Sequence, residues 1–288
     1  MKLQHKKTSF SPKKTINCKG NLISFDKPLV MGIVNLTTDS FFDGGKFQNI
    51  GEIINYIDKI LVQGADIIDI GAVSTRPGAK EVSMQEEENR LIPVLKKVSS
   101  MFPSAIISVD TFRSQMAKKA VENGASIIND ISAGNFDKEM FSVISQLQVP
   151  YIIMHINGIP QNMQDNPKYD NVTKEVIEYF AEKVERLKKM GVNDIIIDPG
   201  FGFGKTAEHN YELLKNLEYF SVFELPIMVG FSRKSMINRV LNISPEGALN
   251  GTTVLNTYSL NKGANILRVH DVREAVELVK IIDKLSVS

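Results

Sequence analysis

Asp110, Asn129, Asp198 and Lys234 each stand at or just beyond the end of a short apolar run rich in β-branched residues. Two carboxylates and an amide accept hydrogen bonds well from a flat, donor-rich edge, such as the amino and ring N–H groups of an aminopyrimidine. A lysine ammonium can then take the carbonyl of the same ring. Taken singly, each group could equally cap or pair with a neighbouring helix end; together they point to a ring-binding site. Arg76, Arg268 and His270 form a second set. With a helix starting at Asp271, they suit an anion such as a phosphate.

Other chemistries are poorly served. There is no GxSxG and no Ser-His-Asp layout for acyl transfer. With 4 His, 1 Cys and no HExxH, a zinc cage is a poor match. Oxygen ligands that hold Mg²⁺ on a diphosphate remain compatible. Asp198-Pro199-Gly200-Phe201-Gly202-Phe203-Gly204-Lys205 is not a Walker A loop, because Pro199 stands where its first glycine belongs. It is not a dinucleotide fingerprint either, because Lys205 stands where that motif needs glycine. What remains is a glycine-rich loop that lets backbone approach a flat ligand beside Asp198.

The elements that must position these groups are legible as a repeat. Leu29 to Val34 ends at Asn35, Ile67 to Ile70 runs into Ser74-Thr75-Arg76, Ile106 to Val109 ends at Asp110, and Ile127-Ile128 at Asn129. Tyr151 to Met154 ends at His155, Ile195 to Ile197 at Asp198, Ile227 to Val229 leads into Ser232-Arg233-Lys234, and Ile266-Leu267 into Arg268 and His270. Helical periodicity fills most of the intervals. The pattern predicts an α/β fold, a single (β/α)8 TIM barrel, with its active site at the carboxyl ends of the strands.

Ile16 to Phe25 reads as an N-terminal β-hairpin plugging the barrel's bottom, turning at Gly20-Asn21. Residues 1–15 read as a flexible basic tail and 16–288 as one barrel domain. Helical stripes are expected at Ile50, Ile53, Ile54, Ile57, Ile60 and Leu61 up to Gly64, and at Val172, Val176, Phe180, Val184 and Leu187 up to Gly191. The last helix should start at Asp271, with Glu274 completing a capping box, and bury Val272, Ala275, Val276, Val279 and Ile282. Two helices are expected after the seventh strand, from about Ser235 and from Ser244-Pro245. The connections Asn35 to Asn49 and Gly71 to Met84 are long enough to be functional lids.

Composition sets the remaining bounds. The chain has 288 residues, 43% hydrophobic, with 34 basic against 33 acidic side chains and a net charge of +1. That balance argues against nucleic acid or an anionic membrane as a partner. One cysteine, Cys18, allows no internal disulfide and fits a reducing compartment. With no apolar h-region and no spanning run, a soluble cytoplasmic protein is expected.

Read in order, the motifs resemble those of the dihydropteroate synthase family over nearly the whole chain. They are Met31-Gly-Ile-Val-Asn35-Leu-Thr-Thr-Asp39-Ser40-Phe41, Ser74-Thr-Arg-Pro-Gly78, Ser108-Val-Asp110-Thr111, Ile128-Asn129-Asp130, Met154-His155, Asp198 to Lys205, Ser232-Arg-Lys234 and Arg268-Val-His270-Asp271. The resemblance implies a transferase of folate biosynthesis. Such an enzyme joins p-aminobenzoate to 6-hydroxymethyl-7,8-dihydropterin diphosphate with Mg²⁺, releasing diphosphate and 7,8-dihydropteroate.

It further implies that Asp110, Asn129, Asp198 and Lys234 grip the pterin, with Met154 lining its slot and Thr75 near pterin and diphosphate. Arg268 and His270 would serve the diphosphate, and Asn35 the Mg²⁺–diphosphate unit. Phe203 and Ser235 would border the aminobenzoate pocket, and Asp39 would support the electron-poor pterin carbon as diphosphate leaves. A homodimer and sulfonamide binding also follow from the resemblance. Thr38, Ala72 and Val73 depart from the family's usual proline, glycine and glutamate; all three lie on the long loops. Two rivals are a methyltransferase module that passes a methyl group from a reduced folate to a corrinoid, and a non-catalytic pterin-binding homologue. The retained diphosphate set argues against both.

Overall fold

The structure is a computed structural model that describes residues 15–36, 49–75 and 82–286. Its strands are β1 (Thr15–Cys18), β2 (Asn21–Ser24), β3 (Leu29–Asn35), β4 (Ile67–Gly71), β5 (Ile106–Asp110), β6 (Ile127–Asp130), β7 (Tyr151–Met154), β8 (Ile195–Asp198), β9 (Met228–Val229) and β10 (Ile266–Val269). Helices α1 (Ile50–Val62), α2 (Met84–Met101), α3 (Ser114–Glu122), α4 (Met140–Leu147), α5 (Val172–Lys189), α6 (Ala207–Lys215), α7 (Ser235–Leu241), α8 (Leu249–Asn261) and α9 (Val272–Ser286) alternate with them. Strands β3 to β10 form one 8-stranded parallel sheet in the order β8-β7-β6-β5-β4-β3-β10-β9. A single bridge, Ile197 to Ile227, joins its two ends, reinforced by the Ile197 N–H donating to Pro226 O at 3.0 Å. The expected (β/α)8 barrel is what the chain forms.

Strand side chains alternate with period two, so inward-facing residues form layers. The lowest layer is apolar: Met31, Ile67, Ile127, Ile152, Ile196, Met228 and Ile266 cluster together. Ile16 and Cys18 of the β1–β2 hairpin join them from below, which makes the hairpin the expected plug. The turn residues with positive φ are Lys19 (53°) and Gly20 (89°), not Gly20-Asn21, because Asn21 already opens β2. Asn17 Oδ1 accepts from the Gly20 N–H at 2.7 Å and fixes that turn. Burial, followed by the nearby Asp194 charge, pushes the Cys18 thiol up to about 12. It stays protonated and unreactive.

Outside the sheet the helices bury their apolar stripes against the strands. Asn171 caps α5 by accepting from the Lys174 N–H, and Val172, Val176, Phe180, Val184 and Leu187 are all buried. Burial on the last helix is narrower than expected. Val272 and Ala275 are buried, Leu278 joins them, and Val276, Val279 and Ile282 are half-buried. Ser244-Pro245 opens only a 3-10 turn, Pro245–Gly247, and α8 starts at Leu249. No helix among the described residues is long and apolar enough to cross a membrane.

Candidate active site

The site lies one layer above the apolar floor. Two residues beyond the floor positions, and beyond Ile106, which packs against that floor, stand Asp69, Ser108, Asn129, Met154, Asp198 and Arg268, so alternation sends their side chains into the barrel beneath its carboxyl mouth. Polar side chains here are shut off from water and must satisfy one another. Asp69, fully buried, accepts from Ser108 Oγ at 2.6 Å, Asn129 Nδ2 at 3.1 Å and Arg268 Nε at 2.7 Å. The Arg268 guanidinium also donates to Asp110 Oδ2 at 3.2 Å. Arg268 therefore sits among carboxylates and joins the ring-binding set to the anion set. Sequence reasoning passed over Asp69. The available signal was a carboxylate inside the isoleucine run of β4, two residues beyond an inward-facing Ile67.

Burial pushes Asp110 up to about 7. Arg268 opposes that, while Asp69, Asp130 and Glu87 add to it. Asp198 is raised by burial, against the pull of Lys234, the Gly200 N–H, Arg268 and Lys205. Lys234 is lowered to about 8 by burial, with Asp198 opposing and Arg268 assisting. Two acids and one base with shifts of this kind at a barrel mouth mark a site built for function.

Asp130, beside Asn129, has a structural task. It accepts from Ser132 N and Oγ, Gly134 N and Tyr151 Oη, and so ties down the loop after β6. Glu87 does the same for the β5 exit, accepting from Thr111 Oγ1 and pairing with Arg113.

The glycine-rich loop is gripped from all sides. Asp198 Oδ1 takes the Gly200 N–H at 2.8 Å. Lys205 Nζ donates to Gly200 O (2.9 Å) and Phe203 O (3.1 Å) and meets His155 Nδ1 at 2.8 Å. Lys234 Nζ donates to Phe201 O at 2.5 Å, Gln164 Nε2 to Gly202 O at 2.6 Å, and Tyr169 Oη to Gly204 O at 2.8 Å.

A Cβ on Gly200 would stand 1.9 Å from His155 O, and one on Gly204 2.3 Å from Asn157 O; both residues have positive φ. Gly200 and Gly204 thus admit the neighbouring loop after β7, which the expectation of a ligand-approaching loop did not include, while a Cβ on Gly202 would stand 3.2 Å from the Lys234 side chain. Burial and Lys205 push His155 down to about 2, so its imidazole is neutral and serves as a packing and acceptor group. Lys205, which ends the motif, is the loop's clamp.

The other expected residues fall around this centre. Asn35 ends β3 half-buried, paired in register with Gly71, and Thr75 lies half-buried beyond β4. Met154 is buried with Ile131, Ile156 and Met163, and Phe203 packs on that cluster. Lys234 Nζ lies 4.8 Å from the Phe203 ring centroid, and Ser235, exposed, opens α7. His270 Nδ1 meets Ser232 Oγ at 2.9 Å, tying the loops after β9 and β10.

Asp271 precedes α9, and its carboxylate takes both Nε and Nη2 of Arg233. The expected capping-box carboxylate is thus engaged in a bidentate ion pair. Thr38, Asp39 and Arg76 lie outside the described residues, with 37–48 of the first long loop and 76–81 of the second. Among the described residues no three His, Cys, Asp or Glu side chains gather as a metal cage.

Against known proteins, residues 31–270 match the family described as pterin binding enzyme. The dihydropteroate synthase of Escherichia coli (strain K12) is 41% identical over 267 residues, covering 92% of this chain and 94% of that one. The Yersinia pestis dihydropteroate synthase, solved in a sulfonamide drug complex, superposes with a TM-score of 0.92 at 38% identity, covering 95% and 100% of the two chains. The Xanthomonas albilineans dihydropteroate synthase with 4-aminobenzoic acid gives a TM-score of 0.88 at 34% identity, covering 96% and 99%.

Proposed function

This chain belongs to the dihydropteroate synthase family of pterin-binding enzymes, and from that premise we propose how its barrel mouth carries the family's reaction. It is a transferase of folate biosynthesis and a sulfonamide target. It condenses 6-hydroxymethyl-7,8-dihydropterin diphosphate with p-aminobenzoate; the C–O bond to diphosphate breaks, the C–N bond forms, and the amine gives up a proton. A neutral aromatic amine is already nucleophilic, so the site needs no strong base. It needs positioning and charge stabilisation.

One observation carries the assignment of roles: acceptors on three strands, half-buried Asp110 and buried Asn129 and Asp198, face a common interior with Lys234 and Arg268 in electrostatic range. The first three take the donor edge of the pterin, and Lys234 takes its carbonyl. Met154 lines the slot, and Thr75 stands near the pterin and its diphosphate. Arg268 and His270, with Arg76, receive the diphosphate. Phe203 and Ser235 border the aminobenzoate, and Asp39 supports the pterin carbon as charge develops.

Mg²⁺ fits the donor chemistry present. Asn35 offers an amide oxygen at a strand end, and a hard cation shared between an amide, water and diphosphate needs no protein cage. When bound, it would neutralise charge on the leaving diphosphate. A homodimer is supported by apolar side chains left exposed on adjoining α8 and α9, among them Val254, Tyr258, Ile281 and Leu285. The substrates are small molecules, with no nucleic acid or membrane partner. We place the enzyme in the cytoplasm, where a single unpaired cysteine is at home.

Incubation with the pterin diphosphate and p-aminobenzoate in the presence of Mg²⁺ tests the function. Release of diphosphate with formation of dihydropteroate is expected, and a folded protein that forms neither product would overturn the proposal.

A further inference from the structure

Asp69 meets no substrate in the scheme above, yet three side chains of the interior layer converge on it, from Ser108, Asn129 and Arg268. Arginine can only donate, and the serine and the amide also donate to it here, so Asp69 acts as a pure acceptor. We propose that Asp69 is a positioning residue for the pterin site. It takes the Asn129 N–H and so turns that amide's oxygen toward the ligand, and it holds the Arg268 guanidinium against Asp110. The proposal rests on the pterin-binding assignment.

The consequence concerns specificity. An asparagine can present either its oxygen or its NH₂ to a ligand, and only its hydrogen-bond partner decides which. With one Nδ2 hydrogen committed to Asp69 at 3.1 Å, Asn129 presents its oxygen as an acceptor, as do Asp110 and Asp198. The ring read at these three strands must therefore carry a donor for each of the three oxygens, while the second Asn129 N–H is left over for a ring acceptor. A ring lacking one of those donors would leave a buried acceptor unpaired, which is a strong basis for rejection.

Asp69 also acts on Asp110 through charge. Asp110 is faced by Arg268 from β10, Asp69 from β4, Asp130 from β6 and Glu87 from α2. Burial and the three carboxylates push it up, and Arg268 holds it down. Removing the Asp69 charge removes one upward push and leaves Arg268 to Asp110 alone, so Asp110 must then titrate at lower pH.

The test is Asp69→Asn, which keeps size and removes charge, with a pterin lacking phosphates titrated into wild type and variant from pH 5 to 9. At least tenfold weaker binding is expected, with the low-pH limb of the binding curve moved to lower pH and a cooperative thermal transition retained. Adding Asn129→Asp to that variant should regain much of the lost affinity. The amide introduced on β4 then donates to the carboxylate introduced on β6, which re-forms the pair while that carboxylate still offers an oxygen to the ring. A merely structural role for Asp69 would neither move the pH limb nor be repaired at position 129. Binding by D69N within twofold of wild type, or a double variant no better than the single one, would overturn the proposal.

If D69N does not fold, N129D in the unaltered chain serves instead. Two carboxylates at this spacing must share a proton, so pterin affinity should recover as pH falls from 9 to 7. A curve parallel to that of wild type overturns the proposal. Wild-type protein that binds no pterin at any pH would defeat the pterin assignment itself, a separate outcome.

Discussion

Lys205→Met would remove the ammonium that clamps the glycine-rich loop while keeping a flexible apolar stem of similar length. The lysine is 2% exposed and directs its three N–H groups at the carbonyls of Gly200 and Phe203 and at His155 Nδ1, with His155 O farther off at 3.4 Å. A buried acceptor left unmade costs about 1–3 kcal/mol, so the gross loss is about 3–9 kcal/mol. Part of it is returned. The desolvation that pushes Lys205 down to about 7 is relieved in the variant, and the imidazole can change tautomer to pair elsewhere. A net destabilisation of about 2–4 kcal/mol remains, a large share of the roughly 5–15 kcal/mol by which domains are stable.

Guanidinium unfolding of wild type and K205M measures it: the midpoint should fall with the slope unchanged. The same loop carries Phe203 beside the proposed aminobenzoate pocket, so sulfonamide affinity should drop about tenfold. Lys205→Arg should not restore either quantity, since a planar fork cannot reach acceptors arranged around one point. An unchanged unfolding midpoint in K205M would refute the clamp.

Four further outcomes are expected. Asp198→Asn should keep its melting temperature yet bind pterin about 1.5–3 kcal/mol more weakly by calorimetric titration, the range for a hydrogen bond to a charged group; an unfolded variant or unchanged affinity counts against the assigned role. Pterin affinity should peak between about pH 7 and 8: below 7 Asp110 gains a proton and stops accepting, and above 8 Lys234 loses the charge it offers the ring carbonyl. A flat profile from pH 6 to 9 contradicts this. Arg233→Ala should destabilise by about 2–4 kcal/mol by leaving Asp271 half-buried and unpaired, and adding Asp271→Ala should recover part of that loss; strict additivity in the double-mutant cycle would show that the pair is not coupled. A sulfonamide should bind tighter by about 1–3 kcal/mol when diphosphate and Mg²⁺ are present, reciprocally, and EDTA should stop turnover; equal affinity with and without them would mean a preformed pocket.

The strand ends were readable because each is a β-branched run that breaks at a polar residue, and the barrel places all such breaks at one mouth. The α5 stripe was equally plain, since five apolar positions at helical spacing lead to a glycine that has φ of 81°. What escaped was what depends on partners distant in sequence. Asp69 looks like an interruption in Ile67 to Ile70 until the sheet brings Arg268 to it, 199 residues away. Asp271 looks like a helix cap until Arg233 claims it from across the β9 loop. Gly200 and Gly204 read as room for a ligand because the chain does not announce that His155 and Asn157 backbone will press against them. Periodicity reports which face is inward; only the closed barrel reports who meets there.

The hoop of strands has one thin stave. Between β8 and β9 the sheet closes through a single bridge, and the two loops that rise from that joint carry Phe201 and Lys234. Above it, three fasteners cross the gap: the Lys234 ammonium on Phe201 O, the Phe201 and Phe231 rings 4.5 Å apart, and Tyr211 Oη on Met236 O at 3.0 Å. In the proposed scheme Lys234 leaves its carbonyl for the pterin's, so a bound ring replaces the protein's own fastener with itself. Empty and loaded barrels are then both braced, by different means. The interval in which neither brace is made is the departure of product, and breathing of the barrel should concentrate in that interval and at that joint.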